Sequence, residues 1–187
     1  MPSPPILVSQ IVRGVVIVSY NRPQEKNPFD AALSSALVSV LDKLNTDLQL
    51  SAAIITGRGG YFCTAAKFDE LLRPIHPVWL HTSLVAGIVM LFDSFITFSK
   101  PIVAAINGPA FGGGVTQATL CDMVLSLRHA KYSLTFSHWK VSPEGCASVH
   151  LARVIGISEA GKMLAGAWIP SSAVAKSIGL VSEVVAD

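Results

Sequence analysis

The chain opens on two runs of β-branched residues, ILVSQIV and VVIVSY, separated by Arg13-Gly14. Such residues suit a pleated, half-buried surface and Arg-Gly suits a tight turn, so Ile6 to Tyr20 predicts a β-hairpin. From Phe29 to Asp47 the period changes: Leu33, Leu37, Val40, Leu41 and Leu44 recur every three or four positions and predict a helix with one apolar stripe. Ala52 to Gly57, AAIITG, is a short buried strand followed by the loop RGGYFCTAAKFDEL. A second buried strand, KPIVAAING, precedes a glycine run, and MVLSL and YSLTF predict two further strands. From Ser142 onward the pattern predicts helix, helix, short helix and a last strand, LVSEVVA. Strands recurring between helices, with no linker or repeat, predict one α/β domain over residues 1–187 built of stacked β-β-α units.

Val78 to Phe98, VWLHTSLVAGIVMLFDSFITF, is almost wholly apolar, with Asp93 as its only formal charge. A helix of about 20 apolar residues suffices to cross a bilayer. His81, Thr82, Ser83, Ser94, Thr97 and above all Asp93 oppose that reading, because a charge inside hydrocarbon is expensive. The run predicts a core helix, with Trp79, Phe92 and Phe95 in the core, and no transmembrane segment is expected.

Composition narrows the function classes. The chain is 51% hydrophobic and 14% charged, with a mean hydropathy of +0.53, which fits a large core. A formal charge of +2 without a basic cluster argues against nucleic acid as a partner. Cys63, Cys121 and Cys146 are far apart and lack C-x-x-C spacing, so neither a disulfide framework nor a zinc site is indicated. No ligand spacing links His138 and His150, and no metal is expected. MPSPPILVSQ lacks a signal-peptide pattern and VSEVVAD carries no standard address, so an intracellular location is expected.

The glycine run lies in INGPAFGGGVTQATLCD, Ile106 to Asp122, at the start of a predicted helix. Glycine in a helix interior costs about 0.8–1 kcal/mol relative to alanine, so three in succession need a reason. A dinucleotide fingerprint is excluded because Gly112, Gly113 and Gly114 are contiguous, and a P-loop because Val115-Thr116 follows. Two readings remain. Free backbone N–H groups could face an anion or developing oxyanion, or the helix could pack too closely for side chains. The residues of this stretch alone do not separate them.

KPIVAAINGPAFGGGVTQATLCDMVLS resembles the enoyl-CoA hydratase/isomerase (crotonase) superfamily, whose pattern is strand, N-G-x-A-x-G-G-G, helix and C-D. Three further segments agree in order. VSYNRPQEKNPFD is similar to the family's N-R-P-x-x-x-N, AAIITGRGGYFCTAAKFDEL to its G-x-G and F-C-x-G-A-D-L, and AKSIGLVSEVV to its A-x-x-x-G-L-V-x-x-V ending. The resemblance covers nearly the whole chain. It implies a crotonase-like spiral that binds an acyl-CoA thioester, with no cofactor beyond the CoA of the substrate. The two backbone donors that hold the thioester oxygen fall on Ala66 and Gly113. Preorganised donors of this kind contribute about 3–4 kcal/mol each.

The acid/base residues decide the chemistry that the resemblance implies. The hydratases carry glutamates where this chain has Thr116 and, nearby, Ser137. Neither hydroxyl serves as a general base near neutral pH, so hydration is disfavoured. FSHWKVSPEGCAS is instead similar to the F-S-x-x-x-x-S-P-E-G-C-S of the peroxisomal-type 3,2-trans-enoyl-CoA isomerases. The base is then Glu144, moving a proton from C2 to C4 of a 3-enoyl-CoA in fatty-acid β-oxidation. Ser142-Pro143-Glu144 also has a plain reading as a helix start, with a serine cap, a first-turn proline and an acidic residue favoured by the dipole.

The remaining implied contacts are to the substrate. Arg22 and Lys26 fall where the family meets the CoA nucleotide, and Thr64, Ala65, Lys67 and Phe68 lie in the donor loop; each charge also reads as a solvated surface cation. Ala65 departs from the family's glycine and Lys67 from its aspartate. The family continues past the position of Asp187 with helices that cover the site and build trimers. The C-terminal helical extension is thus expected to be absent or truncated, with homo-oligomers, a trimer first among them, covering the apolar face. The resemblance allows a mitochondrial or peroxisomal-type location. A non-catalytic acyl-CoA-binding or interaction protein on the same scaffold is the alternative.

Overall fold

The computed structural model describes residues 4–66, 76–166 and 168–186. Strands β1 (Ile6–Val12) and β2 (Val15–Tyr20) pair antiparallel, and Arg13 and Gly14 between them both have positive φ, 51° and 80°. Positive φ at both turn positions matches the twist of the flanking strands. Strand β3 (Pro28–Phe29) leads into α1 (Ala31–Thr46), whose buried stripe is Leu33, Leu37 and Leu41. The Asp30 side chain caps α1 by accepting from the Leu33 amide at 2.9 Å.

The main sheet continues in parallel with β4 (Ala52–Gly57), β6 (Ile102–Ile106), β8 (Met123–Leu127) and β10 (Glu183–Val185), in the order β1-β2-β4-β6-β8-β10. Burial alternates along β2, β4 and β6, which carry Val18, Tyr20, Ile55, Ala104 and Ile106 into the core. Short strands follow the long ones. β3 pairs in parallel with β5 (Thr64–Ala66), and β7 (Ala110–Phe111) with β9 (Tyr132–Ser133). A parallel bridge from Cys63 to Ala110 links these two small sheets. Long strand, short strand and helix thus repeat along the chain as the expected β-β-α units.

Two expectations are corrected. The Val78–Phe98 run is not one core helix. It is a turn of α2 (Pro77–Trp79), a π-helical segment Leu80–Val85, and α3 (Ala86–Ile96). Only one side of α3 is buried, through Leu91, Phe92, Ser94 and Phe95, where it packs against α1 and, at Phe92, against the Gly145 turn. Trp79, Val89, Met90 and Ile96 are exposed, so Trp79 is not a core residue. Among the described residues no helix is long and apolar enough to cross a membrane.

The second correction concerns Ser142-Pro143-Glu144, which does not begin a helix. Helix α4 (Gly113–Thr119) opens within the glycine run, with Gly112 before its first residue, but the next helix, α5 (His150–Ile155), starts only at His150. Gly145 and Cys146 both adopt positive φ, 63° and 60°, which takes the chain out of the helical region straight after Glu144. Helices α6 (Ile157–Leu164) and α7 (Ser172–Ser177) then precede β10, in the expected order.

Candidate active site

The three glycines have three different reasons. Gly112 has φ 48° and ψ −118°, a conformation for glycine, and its N–H donates to Ser133 O at 2.8 Å. Gly114 is a packing residue, since a β-carbon there would lie 2.6 Å from the Cys63 carbonyl oxygen. Gly113 has neither constraint. Its β-carbon would meet Glu144 Oε1 at 3.4 Å, Gln117 Nε2 at 3.7 Å and Phe29 Cγ at 4.0 Å, close to ordinary contact. Its N–H has no hydrogen-bond partner among the described residues. Close packing therefore accounts for Gly114, while Gly113 keeps a backbone N–H with no partner among the described residues.

Glu144 reaches Gly113 because of the turn behind it. A β-carbon on Gly145 would lie 2.6 Å from both Phe92 Cε1 and Thr116 Oγ1, so only glycine lets the chain lie this close to α4. Thr116 is buried, and its hydroxyl donates to Gly113 O at 3.1 Å. The Glu144 side chain makes no hydrogen bond among the described residues, and burial pushes its carboxyl above the ordinary carboxylate value.

Ala66 is brought near by the small sheets. Phe29 pairs with Ala66 and Pro28 with Thr64, and the Phe111 N–H donates to Cys63 O at 2.9 Å. These links set the end of β5 beside α4. Ala65 is the middle residue of β5, and the Thr64 hydroxyl donates to Lys26 O at 3.0 Å. Lys67 and Phe68 lie outside the described residues.

The organiser of this corner is Asn27, whose role the sequence did not announce. It is fully buried with φ 52°. Its Oδ1 accepts from the Arg22 N–H at 2.9 Å, while Nδ2 donates to Tyr61 O at 2.9 Å and Arg58 O at 3.0 Å. Its only signal was its place as the last residue of the N-R-P-x-x-x-N segment. Arg22 is not a solvated surface charge: its guanidinium forms a two-point ion pair with Asp30 and donates to Pro28 O at 3.1 Å. Lys26 is exposed, with Nζ 5.2 Å from the centre of the Tyr61 ring.

Other candidates are structural. Ser137 is exposed and donates to Ala165 O at 2.8 Å. Asp122 joins two strands, accepting from the Ile102 N–H at 2.8 Å and donating its own N–H to Ile102 O at 2.9 Å. A His150 ring nitrogen bonds Thr119 O at 2.8 Å. Among the described residues no cluster of His, Cys, Asp and Glu could hold a metal ion. A cavity of about 550 Å³ lined by Phe95, Phe98, Leu120, Cys146 and Val149 includes neither Gly113 nor Glu144.

The family model for enoyl-CoA hydratase/isomerase matches residues 10–187. The chain belongs to this family. It is 31% identical over 179 residues to 2,3-dehydroadipyl-CoA hydratase of Escherichia coli, covering 96% of this chain and 68% of that protein. It is 29% identical over 177 residues to human enoyl-CoA delta isomerase 2, covering 93% of this chain and 44% of that protein. A crystal structure of enoyl-CoA hydratase from Bacillus anthracis superposes with a TM-score of 0.89 at 29% identity, over 97% of this chain and 70% of that one. The crotonase-like fold expected from the motifs is therefore the observed fold. Hydratases and isomerases of the family are about equally similar to this chain, so the comparisons give the acyl-CoA enzyme family and leave the reaction to the residues of the site.

Proposed function

We propose that the protein is a 3,2-trans-enoyl-CoA isomerase of fatty-acid β-oxidation that uses Glu144 as its single acid/base. The observation that carries this reading is the Glu144 carboxyl against Gly113, whose N–H has no partner among the described residues, while Thr116 stands where the hydratases have one glutamate and their second falls near Ser137. The thioester oxygen accepts hydrogen bonds from the Gly113 and Ala66 N–H groups. Glu144 takes a proton from C2, the negative charge spreads over the oxygen and C4 as a dienolate, and the same proton returns to C4. The double bond moves from C3 to C2 with no gain or loss of atoms. A raised carboxyl pKa suits a group that must hold the proton between the two steps. Lys26, Thr64, Ala65, Lys67 and Phe68 are substrate-binding residues in this reading. Arg22 supports it indirectly, holding β3 to α1 through Asp30. Association into homo-oligomers, with a trimer the first expectation, is part of the same proposal.

Ala65, in place of the family's glycine, favours a second reading, a scaffold that binds acyl-CoA without turning it over. The two are separated by following purified protein with 3-enoyl-CoA and, separately, with 2-enoyl-CoA. Formation of the conjugated 2-enoyl thioester with little hydration is the expected result. Hydration as fast as isomerisation overturns the isomerase reading, and calorimetric binding without either reaction supports the scaffold.

A further inference from the structure

Gln117 is a polar residue in an apolar place. It is 1% exposed, on the buried helix α4, one turn beyond Gly113. Its Oε1 accepts from the Tyr20 hydroxyl at 2.7 Å, the only hydrogen bond of that hydroxyl among the described residues. Tyr20 is itself fully buried and packs edge-on against Phe62. Its proton needs an acceptor, so the amide oxygen faces Tyr20 and the amide nitrogen faces the opposite way.

That nitrogen is buried and has no partner among the described residues. A buried amide N–H without an acceptor is costly, and such a group in a folded protein asks for an explanation. Nε2 and Glu144 Oε1 lie 3.7 Å and 3.4 Å from one point, the position of a β-carbon on Gly113. The other polar group beside them, the Thr116 hydroxyl, is already bonded to Gly113 O. Nε2 and Glu144 Oε1 therefore border the same small volume.

We propose that Gln117, oriented by Tyr20, is a positioning residue that donates a hydrogen bond from Nε2 to the ionised Glu144 carboxylate and releases it when the carboxyl takes up a proton. The inference rests on the reading of Glu144 as the acid/base. The bond stabilises the charged form in a site where burial opposes it, and it turns one carboxylate oxygen away from the substrate face. No described charged group offsets the burial of Glu144. Of the titratable groups packed around the Tyr20–Gln117 pair, Tyr20, Cys63 and Cys121 are held neutral by burial, Cys63 with its pKa pushed up to about 12. Arg22 on the neighbouring loop is paired with Asp30.

The test is a carboxyl titration that does not depend on turnover. The protein is labelled with 13C at the glutamate side-chain carboxyl, and the Glu144 resonance is assigned by its disappearance in Glu144→Gln. Its midpoint is then compared in the parent, Gln117→Leu and Tyr20→Phe. The expected result is a midpoint about one pH unit higher in Gln117→Leu, and a smaller rise in Tyr20→Phe, where the amide loses its anchor. If Gln117→Leu does not fold, the Tyr20→Phe titration decides alone. A lower melting temperature with an unchanged Glu144 midpoint overturns the proposal, as does a midpoint that falls. A raised midpoint in a protein that does not isomerise 3-enoyl-CoA supports the Gln117–Glu144 link and counts against the isomerase reading instead.

Discussion

Glu144 Oε1 lies 3.4 Å from the point that a β-carbon on Gly113 would occupy, although the two residues are far apart in the sequence. The contact puts a carboxyl, a backbone N–H with no partner among the described residues and the start of a helix around one small volume. Enolate chemistry on a thioester needs a base beside the carbon and a donor beside the oxygen.

Replacing Glu144 with glutamine keeps the size of the side chain and removes the base. Isomerisation of 3-enoyl-CoA is expected to fall by about 100-fold to 10,000-fold, while acyl-CoA binding measured by calorimetry is retained. Turnover at the parent rate in Glu144→Gln refutes the assignment of the base.

Gly113 and Gly114 are expected to respond differently to the same substitution. Gly114→Ala drives a methyl group onto the Cys63 carbonyl and should destabilise the fold by about 1–3 kcal/mol. Gly113→Ala meets only side-chain atoms, none nearer than 3.4 Å, so the fold should survive while turnover drops. Denaturant melts of both variants, read beside activity, check the pair; equal destabilisation would remove the distinction between packing and donor glycines.

Burial raises the Glu144 carboxyl above its ordinary value in the folded state. The folded protein then binds that proton more tightly than the unfolded chain. The contribution to stability is therefore present below the unfolded pKa and is lost as pH rises through the folded pKa. Glutamine at this position does not ionise, so Glu144→Gln should melt above the parent at about pH 8, with the gap shrinking towards about pH 4. A gap that widens on acidification contradicts the buried-carboxyl picture.

Hydration should not be recoverable by restoring one carboxylate. Thr116 is buried under the Gly145 turn, with 2.6 Å between its hydroxyl and the place of a Gly145 β-carbon. A glutamate at residue 116 would displace that turn and, with it, Glu144. Thr116→Glu is expected to lower the melting temperature and to leave water addition to 2-enoyl-CoA about 100-fold or more below parental isomerisation. Brisk hydration by a stable Thr116→Glu protein would show that the turn is more adaptable than its packing implies.

The local parts of this protein were legible in the sequence. The β-branched runs about Arg13-Gly14 and the Leu33–Leu37–Leu41 stripe are set by side-chain period and turn chemistry, which act over a few residues. The four ordered motifs carried the family and, within it, Gly113 and Glu144. What only the tertiary structure decided involves residues distant in sequence. The helix-start signal at Ser142-Pro143-Glu144 lost to the positive φ of Gly145 and Cys146. That turn follows from its contact with Thr116 and Phe92. The apolar run Val78–Phe98 has no period of its own to say which side is buried, and its packing on α1 and the Gly145 turn chose one side and left Trp79 outside. Asn27 and Gln117 have meaning only through partners dozens of residues away, at Tyr61 and Tyr20. A buried polar side chain is stable only with the partner the fold brings to it, and no local pattern encodes which partner that is.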